Sequence, residues 1–397
     1  MSTTVASPFG SAAELHRVLA ELRRESPVAE VTLPTGVTAW VVTRYEDAQR
    51  VLNDPRMGKT TSAGGFTYRG MIPDDVARAV SRHMLALDPP DHTRLRRLVS
   101  GAFTARRVAA LRPRIEELAE QLLDDVGDAG QVDLIDRFAF PLPIQVICEL
   151  LGVPAEDQAD FRAWTDAIVS GPMNPAGLAP ALTAIVGYIR TLLAAKREQP
   201  ADDLLSALIA VHEQGDRLTD DELVSMVYLF LIAGHETTVN LIGNGMLVLL
   251  AEPERWARVA AEPELLPGTI EEILRYEGPV QNASFRTAME PVELGGRTIP
   301  AGARVLVALL AANRDPERFP EPDRLDLDRP ATPNLAFGHG IHYCLGAPLA
   351  RLEGQIAFGA LARRFPGMRL AVPPEEIGWR PSLLLRGLST LPVRPRG

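Results

Sequence analysis

The feature that most constrains how this chain can fold is a long and almost uninterrupted apolar stretch. Residues Leu223 to Leu250 contain no proline and few charged side chains. The four residues before it, Thr219-Asp220-Asp221-Glu222, form a capping box, in which a threonine and a glutamate bond each other's backbone amides at a helix start. The pattern predicts one helix of roughly 45 Å at about 1.5 Å per residue. A helix of that length crosses a whole domain, so the other elements must pack around it.

The middle of this predicted helix is polar. It carries His235, Glu236, Thr237, Thr238, Asn240 and Asn244. Charged groups cost about 2.5–3.5 kcal/mol each at the centre of a membrane helix, so we predict a buried helix of a soluble protein. A buried carboxylate is costly unless it is paired or used, which indicates a function for Glu236. The alternative is a bend, because threonine can bond the carbonyl four residues earlier, and the helix alone does not decide between the two.

The composition narrows the function further. The 397-residue chain has a net charge of −10, which gives no support to nucleic-acid binding or to a basic membrane contact. Its two cysteines, Cys148 and Cys344, are too few for a disulfide framework and fit a reducing compartment. The N-terminal residues show neither an apolar signal core nor a basic leader. We therefore predict a cytoplasmic protein with no nucleic-acid partner and no membrane association.

Elsewhere, the apolar residues mostly recur at helical spacing. The segments that show it are DAQRVLNDP, RIEELAEQLLDDVGD, ADDLLSALIAVHEQG, LLPGTIEEILRYEGP and APLARLEGQIAFGALARRF. Strand patterns are short and occur in TAWVVTRY and VELGGRTIPAGARVLVALL, each of which predicts a hairpin. The second should turn at Gly295-Gly296 and again near Pro300 to Gly302. The sequence thus predicts a single domain over residues 1–397, mainly α with a small β lobe.

Ten residues near the C-terminus, FGHGIHYCLG, combine three glycines, two histidines and a cysteine. Cys344 is followed directly by a helical pattern, so its sulfur should lie where free amide groups and the helix dipole stabilise a thiolate. Gly338, Gly340 and Gly346 suit a loop with unusual backbone dihedrals and close approach to a flat or bulky group. The segment therefore predicts a site built around an anionic sulfur.

Four roles for Cys344 can be weighed: a zinc ligand beside His339 and His342, a catalytic nucleophile, an axial ligand to haem, or a small core side chain. Zinc would need a fourth ligand, and the neighbouring sequence offers no further cysteine or histidine at the usual spacing. A structural cysteine would leave the glycines, Phe337 and His342 unexplained. The local pattern disfavours these two roles and leaves the others open.

The same ten residues resemble the complete haem-binding signature of the cytochrome P-450 haem-thiolate monooxygenases, specifically the soluble bacterial members. Further motifs follow the family order: Ala233 to Thr238 is similar to the oxygen-activating helix motif, and Glu272 to Arg275 is similar to Glu-x-x-Arg. Arg329 takes the place of the arginine that completes that network, although Leu325-Asp326 stands where the family usually has Phe-Asp. The resemblance implies the cytochrome P-450 fold, a triangular helical body around haem b with a long central helix.

The resemblance also implies the roles at the centre of the site. Cys344 would be the metal ligand, because its thiolate would bind the haem iron and favour O–O cleavage. Glu236 and Thr237 would be the catalytic residues, relaying protons during oxygen activation. Phe337 would pack against the haem near the sulfur.

The remaining implied residues hold the cofactor or support its pocket. The haem propionates need cations or hydrogen-bond donors, and the residues in matching positions are His92, Arg96, Arg286 and His342. The other cofactor-binding positions are Ala233, Gly338 and Gly346. Behind the pocket, the resemblance implies a buried structural network of Glu272, Arg275 and Arg329.

The implied activity is insertion of one oxygen atom from O2 into a bulky hydrophobic molecule, by hydroxylation or epoxidation. AGHETTVNLIGNGM and EEILRYEGPV are similar to actinobacterial enzymes that modify macrolides and other polyketides, so that substrate class is our prediction. A terpenoid, steroid or aromatic-product hydroxylase is the alternative, as is a peroxide-using or non-catalytic haem protein, which the Glu236-Thr237 pair disfavours. Substrate contacts are expected from the segments Gly58 to Leu87, 170–180, Pro279 to Phe285, and 382–387.

A cluster of arginines in the N-terminal third of the chain is relevant to how electrons are supplied. Seven arginines and no acid lie between Thr93 and Ile115: Arg94, Arg96, Arg97, Arg106, Arg107, Arg112 and Arg114. In an acidic chain, such a cluster could steer an acidic ferredoxin to the cysteine-side face. No flavin or ferredoxin-like module is visible in the sequence. We therefore predict a monomer that receives electrons from NAD(P)H through a separate ferredoxin and ferredoxin reductase.

Overall fold

The computed structural model describes residues 14–34, 36–59, 72–127, 130–154, 157–171, 175–213 and 218–396. The helices are α1 Leu15–Glu25, α2 Tyr45–Asn53, α3 Asp74–Ala79, α4 Asp91–Ala102, α5 Ala105–Ala110, α6 Arg112–Val126, α7 Pro141–Leu151, α8 Gln158–Ser170, α9 Pro175–Glu198, α10 Leu204–Glu213, α11 Asp220–Leu250, α12 Pro253–Ala261, α13 Leu266–Glu277, α14 Leu309–Ala312 and α15 Ala347–Arg364. The strands are β1 Val28–Thr32, β2 Thr38–Val42, β3 Met57–Gly58, β4 Val132–Asp133, β5 Arg286–Ala288, β6 Val292–Leu294, β7 Arg297–Ile299, β8 Arg304–Val307, β9 Arg369–Leu370 and β10 Pro392–Arg394. The predicted helix-rich class with a small β component is confirmed.

The contacts divide the chain into two compact units. The first, here called the sheet unit, comprises Met1–Gly58, Pro113–Leu142 and Thr237–Gly397. The second, the helical unit, comprises Lys59–Arg112 and Pro143–Glu236, and its described residues contribute no named strand. The boundary falls inside α11, between Glu236 and Thr237. The single domain inferred from the sequence stays a prediction.

Helix α11 is the predicted long helix, and its start is the predicted capping box. The amide of Thr219 donates to Glu222 Oε2 at 2.7 Å, and the amide of Glu222 donates to Thr219 Oγ1 at 3.2 Å. Two described helices, α11 and residues Ala176–Glu198 of α9, are long and apolar enough to cross a membrane by length and composition. In α11, 78% of the most apolar window is buried inside the protein, as in the core helix of a globular fold.

Two glycines of α11 are explained by packing in the sheet unit. A Cβ on Gly245 would lie 2.4 Å from the ring of Phe358 on α15, and one on Gly243 would lie 2.6 Å from Ile135. Both distances are shorter than real carbon contacts, so side chains from neighbouring elements occupy the space that a larger residue would need. These glycines therefore allow close packing against an unbroken helix.

The main sheet of the sheet unit has five strands in the order β1-β2-β8-β5-β3. Strands β1 and β2 form an antiparallel pair from Val28 opposite Val42 to Thr32 opposite Thr38. Leu15 and Leu19 of α1 share a buried cluster with Val31 and Val41. Val51 of α2 belongs to a second cluster, so the sheet contributes to two cores. The hairpin predicted for TAWVVTRY is confirmed only in part, because the segment forms one arm, β2, the preceding strand β1 forms the other, and Tyr45 already begins α2.

The second strand pattern is confirmed only in part. Strands β6 and β7 form a hairpin around Gly295-Gly296, where φ is 55° and 73°. The second predicted hairpin is wrong, because β8 pairs in parallel with β2 and antiparallel with β5. Val305, Leu306 and Val307 are all buried, and a strand buried on successive residues belongs in the middle of a sheet.

Candidate active site

The backbone of residues 337–346 is held by three hydrogen bonds near Cys344. The amide of Gly338 donates to Leu335 O at 2.8 Å, that of Tyr343 to Gly340 O at 3.0 Å, and that of Cys344 to Phe337 O at 3.0 Å. Gly338 and Gly340 have φ of 74° and 72°, so two of the three predicted glycine conformations are confirmed. For Gly346 the prediction is wrong, because its φ is −80°.

Helix α15 begins at Ala347, so Leu345 and Gly346 separate it from Cys344. The expectation that the helix follows the cysteine directly is therefore corrected by two residues, although the sulfur still precedes the helix start. A Cβ on Gly346 would lie 3.9 Å from Cys344 Sγ, which makes Gly346 a neighbour of the sulfur. The small residue there leaves room beside the thiol.

The two cysteines occupy opposite environments. Cys344 is exposed and Cys148 is buried, and neither forms a disulfide. Burial raises the pKa of the Cys148 thiol to about 12. Because a thiol must lose its proton to bind a metal or attack as a nucleophile, Cys148 is inert, and Cys344 is the thiol available for chemistry.

Zinc coordination by this loop finds no support in the described part of the chain. No group of three or more histidine, cysteine, aspartate and glutamate side chains there is placed to hold a metal ion. His339, His342 and Cys344 therefore do not form a zinc site by themselves. The Cys344 sulfur remains as the donor that the loop can present.

The sheet unit contains most of the positions expected around a cofactor. Phe337, Gly338, His342, Cys344 and Gly346 lie within one loop, where Phe337 and His342 are half-buried. The ring of Phe337 has its centroid 6.4 Å from that of Tyr343. Arg286 comes from β5, is 4% exposed, and donates from Nη1 to Met57 O at 3.0 Å.

The helical unit contains His92, Arg96, Ala233 and Glu236. His92 is 2% exposed on α4, and Arg96 lies one turn later on the same helix and is half-buried. Residues four apart share a helix face, so α4 presents both to the same side. Arg94, which lies between them in the sequence, forms an ion pair with Glu222, the capping residue of α11.

Helix α11 is uncovered along one stripe at the predicted oxygen-activating motif. Residues 222–229 and 238–250 are all buried, but Phe230, Ile232, Ala233, Gly234 and Thr237 are not. All of these except Ile232 are spaced by three, four and seven and so share one face of the helix, at whose edge a Cβ on Gly234 would lie 2.9 Å from Ile147. Glu236 is 1% exposed, beside His235, whose Nε2 lies 3.9 Å from Glu236 Oε1. Thr237 thus lies on an open face, and its neighbour Glu236 lies inside the protein.

The buried network predicted from Glu272, Arg275 and Arg329 is confirmed. Arg275 donates from Nη2 to Glu272 Oε1 at 2.7 Å and from Nε to Oε2 at 2.8 Å, and Arg329 Nε lies 3.1 Å from Oε1. The departure Leu325-Asp326 is accommodated there. Leu325 is buried, and the amide of Asp326 donates to Glu272 Oε1 at 2.9 Å.

Two of the four expected substrate segments are joined to each other. The amide of Gln281 donates to Leu384 O and that of Arg386 to Pro279 O, each at 2.9 Å, and Asn282 Nδ2 donates to Leu383 O at 2.6 Å. Residues 60–71 of the first expected segment and 172–174 of the second lie outside the described residues. The structure thus brings Pro279 to Phe285 and 382–387 together.

A second buried charge cluster anchors these joined segments, and the sequence analysis missed it. Glu277 accepts from Arg386 Nε at 2.8 Å, lies 2.9 Å from His16 Nε2, and lies 3.7 Å from Arg314 Nη2. Asn244 Nδ2 donates to the carbonyl of Arg386 at 2.9 Å. These five residues are spread over 371 positions of the printed sequence, from 16 to 386, so no local motif could reveal them.

The charge balance in this cluster follows from its geometry. Burial would by itself raise the pKa of the Glu277 carboxyl, but His16, Arg386 and Arg314 outweigh it and hold that pKa well below its usual range. Burial lowers the pKa of His16, against the opposing effect of Glu277. The two arginines therefore carry the permanent positive charge beside the carboxylate.

Comparisons with known proteins agree with this arrangement. Residues 181–377 match the family model described as "Cytochrome P450". The chain is 52% identical over 377 residues to "Cytochrome P450 107B1" of Saccharopolyspora erythraea, covering 94% of this chain and 93% of the relative. It is 46% identical over 393 residues to 6-deoxyerythronolide B hydroxylase of the same organism, covering 96% of each. Its fold is similar to the tirandamycin C-bound P450 monooxygenase TamI, with a TM-score of 0.91, 48% identity and coverage of 97% of this chain and 99% of that one.

Proposed function

Because this chain belongs to the cytochrome P-450 family, we propose that Cys344 is the thiolate ligand of a haem monooxygenase that acts on a bulky hydrophobic small molecule. The observation that carries this assignment is an exposed, reduced thiol just before a long helix, in a loop where two glycines have positive φ. Partial positive charge at a helix start favours the anionic form of a nearby sulfur.

The residues present fit haem. The loop offers a single soft donor, which suits iron in a macrocycle better than a free metal ion that needs several protein ligands. Helix α11 offers Ala233, which is exposed, and Thr237, one turn later on the same face, and the small side chain of Ala233 leaves space for a flat group. When bound, haem supplies the activation of O2 from which one oxygen atom is inserted into the substrate.

Four side chains would hold the propionates. His92 and Arg96 share one face of α4, and Arg286 is nearly fully buried at the start of β5. His342 is the fourth. A buried guanidinium is well placed to bind an anion, and a propionate beside Arg286 would supply one. Ala233, Phe337, Gly338 and Gly346 would contact the macrocycle.

Glu236 and Thr237 would deliver protons. Thr237 is half-buried on the partly open face of α11. The carboxyl of Glu236, the preceding residue in the chain, is buried. The carboxyl would pass a proton to the hydroxyl, which would donate it toward the open face. In Thr237→Ala, we expect NAD(P)H consumption to continue while product per NAD(P)H falls and peroxide rises. Unchanged coupling in Thr237→Ala and Glu236→Ala would remove both residues from this role.

The proposed substrate is a macrolide or another polyketide, in secondary-metabolite biosynthesis. The names of the relatives support it, since one hydroxylates 6-deoxyerythronolide B and a solved neighbour binds tirandamycin C. A terpenoid, steroid or aromatic compound is the second candidate class. Type I difference spectra with compounds of each class, at matched concentrations, would discriminate between them.

The proposed partners are a ferredoxin and a ferredoxin reductase that carry electrons from NAD(P)H to a monomeric, cytoplasmic enzyme. Arg97, Arg106 and Arg112 are exposed on an otherwise acidic chain, and this supports docking of an acidic protein. The family depends on redox partners, and the identity of the donor is part of this proposal.

The decisive experiment is the carbon monoxide spectrum of the reduced protein. The wild type should show the long-wavelength Soret band that thiolate ligation gives this family. Cys344→Ser should lose that band completely, whereas Cys148→Ser, a matched change at the other cysteine, should keep it. Retention of the band in Cys344→Ser would show that the ligand is another residue.

A further inference from the structure

A charged side chain on α15 contacts the loop that presents Cys344. Arg351 lies seven residues after the cysteine and pairs with Glu271 of α13, with Nε–Oε1 at 2.5 Å and Nη2–Oε2 at 3.2 Å. Both side chains are 33% exposed. The two contacts make a forked pair, which fixes the plane of the guanidinium as well as its position.

The same guanidinium contacts two loop residues that precede the cysteine in sequence. Its Cζ lies 4.5 Å from the ring centroid of Phe337, seven residues before Cys344, and Nη1 donates to the hydroxyl of Tyr343 at 3.4 Å. A planar guanidinium stacks well on an aromatic face, and lysine cannot reproduce both the stack and the fork. Arg351 thereby connects Glu271 on α13 to two loop residues.

Phe337, one of these two loop residues, accepts a hydrogen bond from the backbone amide of Cys344. The acceptor is its carbonyl, at 3.0 Å. A shift of Phe337 would therefore move the acceptor that fixes the Cys344 amide, and with it the direction of the sulfur. The chain of contacts runs from Glu271 through Arg351 and Phe337 to Cys344.

We propose that Arg351, held by Glu271, is a positioning residue for the thiolate: it fixes Phe337 and Tyr343 so that Cys344 Sγ is presented in one orientation. The proposal rests on the proposed role of Cys344 as haem ligand. A partly exposed ion pair adds little to global stability, so the effect should be local. Loss of the fork should make the thiolate ligand easier to lose.

The test uses purified haem-loaded protein, dithionite and carbon monoxide, so that no redox partner or substrate takes part. The rate at which the long-wavelength Soret band converts to the shorter-wavelength band measures loss of the thiolate. We compare Arg351→Gln, which removes the charge, Arg351→Lys, which keeps it, and Glu271→Gln, which removes the anchor. Arg363→Gln is the control, since Arg363 is on the same helix in an exposed pair with Glu120 at 2.9 Å.

We expect conversion to be several-fold faster in Arg351→Gln, Arg351→Lys and Glu271→Gln, and unchanged in Arg363→Gln. The double variant Arg351→Gln with Glu271→Gln should be no faster than Arg351→Gln alone, because both changes break one connection. Thermal unfolding midpoints should stay close to that of the wild type, which separates loss of positioning from loss of fold.

Three results would overturn the proposal. They are wild-type conversion in Arg351→Gln, wild-type conversion in Arg351→Lys, and rates that follow the unfolding midpoint in all variants including Arg363→Gln. The second would assign the effect to charge alone. Absence of the long-wavelength band in the wild type is a different result, because it would refute ligation by Cys344 itself.

Discussion

Arginine serves two different purposes in two regions of this protein. In the sheet unit, Arg275 is 2% exposed, and its guanidinium bonds the Glu272 carboxylate and the carbonyls of Asn313, Pro322 and Arg324. In the segment from Arg94 to Arg114, here called the basic segment, Arg97, Arg106 and Arg112 are exposed. The residue type is the same, but the first is a buried structural centre and the others lie at the surface.

The structure also shows that part of the positive charge of the basic segment is neutralised by nearby acids. The segment itself contains no acid, but acids from outside it lie close to at least three of its arginines. Arg94 pairs with Glu222, Arg107 lies 3.8 Å from Asp202, and Arg114 lies 2.6 Å from Glu117. The positive surface that can steer a partner is therefore smaller than the seven arginines suggest, and the exposed Arg97 and Arg106 are suitable probes of it.

The largest expected effect is on the buried side of this comparison. Arg275→Leu leaves the Glu272 carboxylate buried beside Arg329 alone and removes donors from three carbonyls. Breaking a buried pair on one side typically costs about 3–5 kcal/mol. Denaturant unfolding should show a loss of that size, while Arg363→Leu on the exposed part of α15 should cost about 0.5 kcal/mol or less. Similar losses in the two variants would erase the distinction between buried and exposed arginines.

A smaller effect is expected at the second buried cluster. Glu277→Gln removes the charge that faces His16, Arg314 and Arg386, and hydrogen bonds to charged groups contribute about 1.5–3 kcal/mol. The folded pKa of Glu277 lies below its ordinary value of 4.5, so its stabilisation is present above pH 4.5 and is lost as the pH falls below it.

The pH dependence supplies the measurement. The difference in unfolding free energy between the wild type and Glu277→Gln should be present at neutral pH and should shrink below pH 4.5. The lowered pKa of His16 makes stability fall as the pH drops below 6.5, and more steeply in Glu277→Gln because Glu277 opposes that lowering, so the difference should not shrink between pH 6.5 and pH 4.5. Glu264→Gln, at an exposed position, is the control. A difference that is independent of pH would mean that the Glu277 charge contributes nothing.

The smallest effect on stability is expected in the basic segment. Arg97→Glu should change the unfolding free energy by about 0.5 kcal/mol or less, because the side chain is exposed. It should nevertheless slow reduction by an acidic ferredoxin several-fold and flatten the dependence of that rate on salt, with haem content unchanged. Arg363→Glu is the matched reversal on α15. Equal reduction rates in the wild type and Arg97→Glu would exclude this part of the basic segment as the docking surface.

Much of the architecture was predictable because its signals are local. The capping box at Thr219 and Glu222 acts across three residues, and the helical spacing that follows it depends on nearest neighbours along the helix. The Cys344 loop was predictable for the same reason, since its glycines, cysteine and following helix are contiguous, although Gly346 has an ordinary φ and α15 begins two residues later than expected. Glu272 and Arg275 are one helical turn apart, so their pairing also follows from local geometry.

The errors arose where pairing depends on distant residues. The hairpin expected beside Pro300 to Gly302 failed because β8 is buried on successive residues and pairs with β2 and β5. The Glu277 cluster was missed because its members come from opposite ends of the chain.

The sequence by itself determined the family, the glycine-rich Cys344 loop and the long helix, since each is encoded by contiguous residues. Only the tertiary structure decided which arginines are buried, which acids neutralise the basic segment, and that Arg351 connects Glu271 to Phe337 and Tyr343. The physical reason is that burial and ion pairing depend on distances between side chains, and the fold sets those distances independently of separation along the chain.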